Sequence, residues 1–146
     1  MIRITYPEPS FRYKEEGKRR LIFDSFRKKW LVLTPEEWVR QNFLQYLVRV
    51  AEYPPALIAV EKEFRLGELS RRFDILVYDR QQKPWMMVEC KSPDINMDQP
   101  VLDQLLRYNM AIPVPFLVIT NGDFTYGWER TGQGLLSLGS LPGFVP

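Results

Sequence analysis

The chain contains no histidine and a single cysteine among its 146 residues. Without histidine it cannot form a histidine general base, a Ser-His-Asp or Cys-His nucleophile system, or a histidine-containing zinc site. One cysteine allows neither an internal disulfide nor a thiolate cluster. Carboxylates, lysine and tyrosine remain for catalysis, and the usual metals for oxygen ligands are magnesium and manganese. We therefore expect any enzyme built from this chain to rely on carboxylates.

Long apolar runs are missing as well. The longest of them, such as residues 56–60, are far shorter than the roughly 18 residues that span a bilayer. Prolines and charges stand near the N-terminus, where a signal peptide needs an apolar stretch. The sequence therefore predicts a cytoplasmic protein without a membrane segment. The formal net charge of +2 is close to balanced, so global charge alone does not identify a nucleic-acid partner.

The rest of the composition fits one globular domain. Hydrophobic residues make up 45% of the chain and aromatics 14%, enough to bury a core without disulfides or metals. We expect a single domain in three parts: an N-terminal arm or hairpin at residues 1–33, a core at residues 34–128, and a C-terminal tail at residues 129–146 that wraps the surface. Within the arm, two short strands are expected at residues 20–24 and 30–33.

The first helix of the core has a well-marked start. Thr34 suits the N-cap, Pro35 suits the first turn, and Glu37 completes a Thr-x-x-Glu capping box. The prolines at positions 54 and 55 end the helix. An apolar stripe runs between these limits at helical spacing: Val39, Phe43, Leu47 and Val50.

Strands and a second helix follow. An antiparallel meander is predicted at residues 58–66, 72–78 and 85–91. The second helix is predicted to begin near Gln99 and to run to Met110. A strand at residues 116–120 then leads through a two-residue Asn121-Gly122 turn into a strand at residues 124–128. The predicted fold class is therefore α/β, with a central mixed sheet flanked by helices in the order αβββαβ.

Three polar residues fall where two predicted strands meet. Residues two apart on a strand share a face, so Glu89 and Lys91 point the same way and Cys90 points to the other face. If the preceding strand pairs across the polar turn, Asp74 lies opposite this pair. The set suits metal-assisted phosphodiester hydrolysis: Asp74 and Glu89 would ligate Mg²⁺ or Mn²⁺, and Lys91 would position the attacking water or stabilise developing charge.

This ordered set resembles the PD-(D/E)XK nuclease superfamily, in a restriction-endonuclease-like core. The sequence is similar, over most of residues 34–128, to the N-terminal nuclease domain of type I restriction enzyme R subunits. The similar segments are Thr34-Pro35-Glu36-Glu37-Trp38-Val39-Arg40-Gln41, Arg72-x-Asp74-Ile75, Val88-Glu89-Cys90-Lys91, Gln104-x-x-x-Tyr108-Asn109 and Thr120-Asn121-Gly122.

The resemblance implies a magnesium-dependent endodeoxyribonuclease or nuclease subunit, with Asp74, Glu89 and Lys91 at its core positions. Glu37 would be an accessory helix carboxylate, and Gln104 would belong to the family's additional motif on the second helix. Phe73 stands where the superfamily often has proline.

The expected partners are DNA and a separate motor or specificity subunit, because the chain has no Gly-x-x-x-x-Gly-Lys phosphate loop of its own. A homodimer is the other expected association. Arg72, and Tyr108 in the additional motif, are candidates for DNA contacts. The basic groups Lys18-Arg19-Arg20 and Arg27-Lys28-Lys29 are candidates for phosphate contacts, although such runs are also typical of solvated faces.

Structural roles compete with the catalytic ones. The capping box alone explains Glu37, and an ion-pair ladder on a sheet surface explains Asp74, Glu89 and Lys91. Gln104 and Tyr108 share one helix face and are also suited to hydrogen bonds with the sheet edge.

Three further residues are interpreted without chemistry. Glu36 and Arg40 are most simply solvated helix residues, and Cys90 is a small buried residue.

Two alternative functions stay open beside the nuclease. One is a non-catalytic DNA-binding or complex-assembly module with the same fold. The other is a carboxylate-lysine hydrolase that acts on small phosphate esters.

Overall fold

A computed structural model describes residues 1–144, which form two separate β-sheets, two α-helices and a short 3₁₀ helix at Pro55–Leu57. The N-terminal sheet is antiparallel and has three strands: β1 (Tyr13–Glu16), β2 (Arg19–Asp24) and β3 (Lys29–Val32). The main sheet has six strands in chain order: β4 (Ile58–Leu66), β5 (Leu69–Tyr78), β6 (Pro84–Cys90), β7 (Phe116–Thr120), β8 (Thr125–Thr131) and β9 (Gly134–Ser137). The helices are α1 (Pro35–Arg49) and α2 (Gln99–Asn109).

The main sheet is mixed. Neighbouring strands are antiparallel except β6 and β7, which are parallel. A parallel pair needs a crossover connection, and α2 lies within it. The predicted αβββαβ order and the meander of β4, β5 and β6 are confirmed, and the predicted bounds of β4 and β7 are those observed.

The two helices cover opposite faces of this sheet. Met86 and Val88 pack with the α1 side chains Phe43 and Leu47. Met87, between them in sequence, packs in a second apolar cluster that α2 reaches. Side chains alternate across a strand, so α1 and α2 lie on either side of β6. Neither helix in residues 1–144 is long and apolar enough to cross a membrane.

Caps define both helix starts. The Thr34 hydroxyl accepts a hydrogen bond from the Glu37 amide at 3.1 Å, and the Asp98 carboxylate accepts one from the Val101 amide. This half of the predicted capping box is confirmed. The Glu37 carboxylate bonds to three other side chains, described with the site. Val50 follows the helix as its C-cap and is exposed, so it lies outside the buried stripe.

Three local predictions were wrong. The predicted N-terminal hairpin has a third strand, β1, and the predicted tail contributes β9 to the main sheet. The β7–β8 connection has four residues, 121–124, because Thr120 pairs with Thr125. The Asn121 side chain closes this loop by accepting from the Asp123 and Phe124 amides, and Gly122 adopts φ +93° where its neighbour Val39 leaves little room for a Cβ.

We expect the buried Asp24 carboxylate to be needed for the stability of the β2–β3 turn. It is fully buried and accepts from the Phe26 amide, the Arg27 amide and the Arg27 guanidinium. Asp24→Ala leaves these donors without their acceptor and should lower the free energy of unfolding by about 2–4 kcal/mol, measured by urea denaturation. The exposed Glu15→Ala is the control and should change it by less than about 1 kcal/mol. Equal effects of the two substitutions would refute this role.

Candidate active site

The pairing of β5 with β6 brings two carboxylates together at the end of the sheet. Ile75 pairs with Val88, so the next position places Asp74 opposite Glu89. One Asp74 oxygen accepts from the Cys90 amide at 2.7 Å, which ties the side chain to the end of β6. The predicted juxtaposition of Asp74 with the Glu89-x-Lys91 segment is therefore present in the fold.

Lys91 lies beside Glu89. Its ammonium nitrogen is 3.4 Å from a Glu89 carboxylate oxygen, and its amide donates to the Thr120 carbonyl at 2.8 Å. The side chain of Lys91 is one-third exposed and that of Glu89 is 18% exposed. Lys91 therefore has a fixed backbone and a cation that solvent or a ligand can reach. Cys90 between them is fully buried, as predicted, and burial raises the pKa of its thiol well above the usual range.

A buried arginine balances these acids. Arg40 on α1 donates to Asp74 at 2.7 Å and to Glu37 at 2.6 Å, and lies 3.1 Å from Glu61 on β4. Burial by itself lowers the pKa of the guanidinium, but the hydrogen bond and charge of Asp74 and the charge of Glu37 raise it above the ordinary value. Arg40 is therefore a permanent cation inside the acidic cluster.

The network continues from Glu37 to the N-terminal sheet. The Glu37 carboxylate also accepts from Gln41 at 3.0 Å and from Arg27 at 3.3 Å. Arg27 in turn binds Asp24 at the end of β2. Glu37 thus contacts Arg40 directly, and through Arg40 it is linked to Asp74.

Glu61 has an unusual backbone. It adopts φ +55° within β4, between the regular pairs Val60–Ile75 and Lys62–Phe73. A non-glycine residue with positive φ is strained, and such strain is concentrated at functional sites. The Glu61 carboxylate is 3.1 Å from Arg40 and 3.5 Å from Arg72. The strained position therefore adds a third β-strand carboxylate to the cluster of Asp74 and Glu89.

The carboxylates of this cluster repel one another. Burial and the nearby Asp74 carboxylate raise the pKa of Glu89 to about 7, against the opposing effect of Lys91. Burial and Asp74 also raise the pKa of Glu36, whose carboxylate lies 3.7 Å from Arg40. The cluster contains five carboxylates and four cations. The carboxylates are those of Glu36, Glu37, Glu61, Asp74 and Glu89, and the cations are Arg27, Arg40, Arg72 and Lys91. Arg27 also pairs with Asp24, so an additional cation is favoured.

The second helix closes a cleft over Glu89 and Lys91. The cleft has a volume of about 520 Å³, and its lining includes Arg72, Gln104 and Tyr108. Tyr108 is half-exposed, and the Arg71 guanidinium lies 4.4 Å from its ring centre. The cleft thus brings Gln104, Tyr108 and Arg72 together with Glu89 and Lys91. Asp74 and Glu37 do not line it and contact Arg40 of α1.

The donor set determines which metal would fit. Within residues 1–144, no group of three His, Cys, Asp or Glu side chains is arranged to hold a metal ion. Asp74 and Glu89 supply two carboxylates across a strand pair. Magnesium characteristically takes one or two carboxylates and keeps several waters, so this oxygen-only pair fits it.

Three residues in this cluster were missed or misread in the sequence. Arg40 is buried, so its interpretation as a solvated helix residue was wrong. Glu36 is half-buried and faces the charges of Asp74 and Lys91, and so is also not simply solvated. The spacing of Arg40 to Leu44 and Leu47 placed it on the buried stripe of α1, and this was the available signal. Nothing local in the sequence indicated Glu61.

These observations define the class of site. It is an α/β core that presents two carboxylates and a lysine at one end of its sheet. The family model described as "Type I restriction enzyme R protein N terminus" matches residues 35–142. The chain belongs to this family, and its role is therefore related to restriction enzymes. No curated protein matches the chain.

We expect Glu89 to destabilise the metal-free protein at alkaline pH. A raised pKa means that the native state holds the proton more strongly than the unfolded chain, so the stability due to protonated Glu89 is lost as pH rises from about 4.5 to about 7. Glu89→Gln removes this titration. In EDTA, its melting temperature relative to the unmodified protein should be several degrees higher at pH 8 than at pH 5.

The exposed turn residue Glu68 provides the control for this measurement. Glu68→Gln should leave the melting temperature nearly unchanged at both pH values. A Glu89→Gln difference that does not depend on pH would show that the carboxylate is not under charge stress.

Proposed function

We propose that this protein is a magnesium-dependent endodeoxyribonuclease, or the nuclease subunit of a larger restriction assembly, of the PD-(D/E)XK type. The observation that carries the proposal is the meeting of Asp74, Glu89 and Lys91 at one sheet end, in a chain of the R-protein N-terminal family. The excess negative charge around these residues supports a role in binding a divalent cation.

Each of these residues has a distinct task in phosphodiester hydrolysis. Asp74 and Glu89 would hold the metal, and Arg40 and the Cys90 amide fix the orientation of Asp74. The chemistry supplied by magnesium there would be Lewis-acid polarisation of the phosphate and a lowered pKa of water. Lys91 provides a partly exposed ammonium that orients the attacking water and stabilises negative charge as it develops.

The wall of the cleft serves to hold the substrate. Gln104 and Tyr108 present polar groups from α2, and Arg72 presents a mostly exposed guanidinium from β5. These side chains lie beside Glu89 and Lys91, so they are suited to contact the phosphates or sugars that flank the cleaved bond. Glu37 is a positioning residue in this scheme, because it contacts Arg40 rather than lining the cleft.

One observation favours a second candidate function, a non-catalytic DNA-binding or assembly module. Both oxygens of Asp74 already accept hydrogen bonds from the protein, one from Arg40 and one from the Cys90 amide. The acid is therefore satisfied without a metal. In either case we propose DNA as a partner, with a motor or specificity subunit, or a second copy of the chain, as the other partner.

Cleavage of supercoiled plasmid tests the nuclease. The purified protein should nick DNA with magnesium and not with EDTA, and Lys91→Ala should reduce the rate by at least about 100-fold. Lys83→Ala, at an exposed turn, is the matched control and should keep full activity. The melting temperature should still rise with magnesium in Lys91→Ala and should lose this response in Asp74→Ala.

Three outcomes separate the candidates. Nicking that persists in Lys91→Ala would contradict the assigned role of this lysine. Magnesium binding without nicking would favour a nuclease subunit that needs its partner. A protein that binds DNA but shows no magnesium response would favour the non-catalytic module.

Arg40 should act as a built-in counterion. Arg40→Met leaves the Glu37, Glu61 and Asp74 carboxylates without their shared cation and should lower the free energy of unfolding in EDTA by about 3–5 kcal/mol. Because a competing positive charge is gone, magnesium should restore more stability to this variant than to the unmodified protein. Thermal denaturation across a magnesium titration measures both effects.

Arg49→Met, at an exposed position of the same helix, is the control and should change neither quantity. Arg40→Lys retains the charge but loses the guanidinium fork, and should lie between Arg40→Met and the unmodified protein. A magnesium response in Arg40→Met no larger than that of the unmodified protein would contradict the counterion role.

A further inference from the structure

The N-terminal sheet concentrates the positive charge of the protein. Residues 12–32 hold eight arginines and lysines but only three acidic residues, a net charge of five positive. The whole chain has a net charge of +2, so the remaining residues sum to three negative. The sheet also precedes the family-matched residues 35–142. A strongly basic element is thus joined to an acidic core.

Several of these cations are exposed and are not paired with an acidic side chain, so they are available to bind an anion. Arg27 is committed to Asp24 and Glu37, and Arg19 and Arg20 pair with neighbouring glutamates. Four exposed cations form no ion pair with the acidic side chains of residues 1–144: Arg12, Lys18, Lys28 and Lys29.

Two cations are held in place by aromatic rings. The Arg12 guanidinium lies 4.9 Å from the ring centre of Phe23. The Lys14 ammonium lies 4.7 Å from that of Trp30 and 3.9 Å from an oxygen of the exposed Glu16 carboxylate. Phe23 pairs directly with Trp30 across β2 and β3, so these four side chains share one side of the sheet. A ring positions a cation without neutralising it. The charges are therefore preorganised and lose less conformational entropy when an anion binds.

We propose that this side of the N-terminal sheet is a second DNA-binding surface, which contacts the phosphate backbone and holds the acidic core on the polymer. The proposal rests on the proposed function for the identity of the polymer and adds a binding site to it. Charge complementarity favours this occupant: residues outside the sheet sum to three negative charges and repel DNA, whereas fixed exposed cations bind phosphates without regard to sequence.

A matched pair of triple variants tests the surface. The first carries Arg12→Gln, Lys14→Gln and Arg19→Gln, three exposed cations on the side of the sheet that carries Phe23 and Trp30. The second removes the same charges from exposed positions on the main sheet and its β5–β6 turn, by Lys62→Gln, Arg80→Gln and Lys83→Gln. Binding of a fluorescein-labelled DNA duplex is measured by fluorescence anisotropy in EDTA, over a series of KCl concentrations.

The sheet variant should bind about tenfold more weakly at moderate salt, with a salt slope reduced by about 1–3, while the control variant stays close to the unmodified protein. Equal losses in both variants would overturn the proposal. Amide hydrogen exchange of the unmodified protein provides a second measurement that does not depend on the variants. DNA should slow exchange in β1–β3, and unchanged exchange there would also overturn it.

An anionic membrane is the other polyanionic surface that these cations could bind. Vesicles containing phosphatidylserine should compete weakly with DNA for the sheet, and preferential binding to such vesicles would overturn the assignment to DNA. The experiments can contradict the proposed nuclease activity and the proposed DNA-binding surface independently of one another. Magnesium-dependent nicking that depends on Lys91 would stand even if the sheet variant bound DNA normally, and loss of binding in EDTA would stand even if no nicking were seen.

Discussion

The candidate site depends on the ion pairs that one buried guanidinium, that of Arg40, forms with the surrounding carboxylates. Arg40 reaches Glu37 on its own helix, Asp74 on β5 and Glu61 on β4, and Glu37 extends the network to Arg27 beside the N-terminal sheet. Arginine suits this place because its five donors form a planar fork and its charge is permanent. A carboxylate removed from water costs several kcal/mol unless it is paired, so the acids and the arginine require one another. The site therefore forms only when α1, the main sheet and the β2–β3 turn are all in their native positions.

The same region works against stability. Glu61 is held in a left-handed conformation within a strand, and the pKa of Glu89 is raised to about 7 because its carboxylate is buried near Asp74. Neither feature adds to the apolar packing, since neither Glu61 nor Glu89 belongs to an apolar cluster, although Val88 and Cys90 on either side of Glu89 do. Strain and like-charge repulsion that bring no packing are typical of sites that bind a ligand or cation. Their coincidence at one sheet end distinguishes this arrangement from a surface ion-pair ladder, which would be exposed and electrically balanced.

The features that sequence could predict are those with local causes. The start of α1 follows from Thr34 and Pro35, and the opposition of Asp74 and Glu89 follows from the pairing of two strands joined by a short turn. Strand β1 was missed because all four of its residues are exposed, which leaves no alternating pattern. Arg40 was misread because its burial depends on how α1 is rotated against the sheet, and the conformation of Glu61 depends on its partners across β4 and β5. Tertiary packing, rather than periodicity, decides these positions.

Charge is divided between the two sheets in a way that suits a polyanionic substrate. A site that collects carboxylates to hold a cation necessarily repels phosphate until the cation arrives, so attraction must come from elsewhere on the molecule. The main sheet, its helices and connections carry the acids, whereas β1–β3 carry the excess of cations. Arg27 joins the two regions, because it is part of the basic sheet and binds Glu37 of the acidic network. In the proposed scheme, attraction to DNA and chemistry on it belong to different elements of one fold, and the ion pair of Arg27 with Glu37 connects these elements.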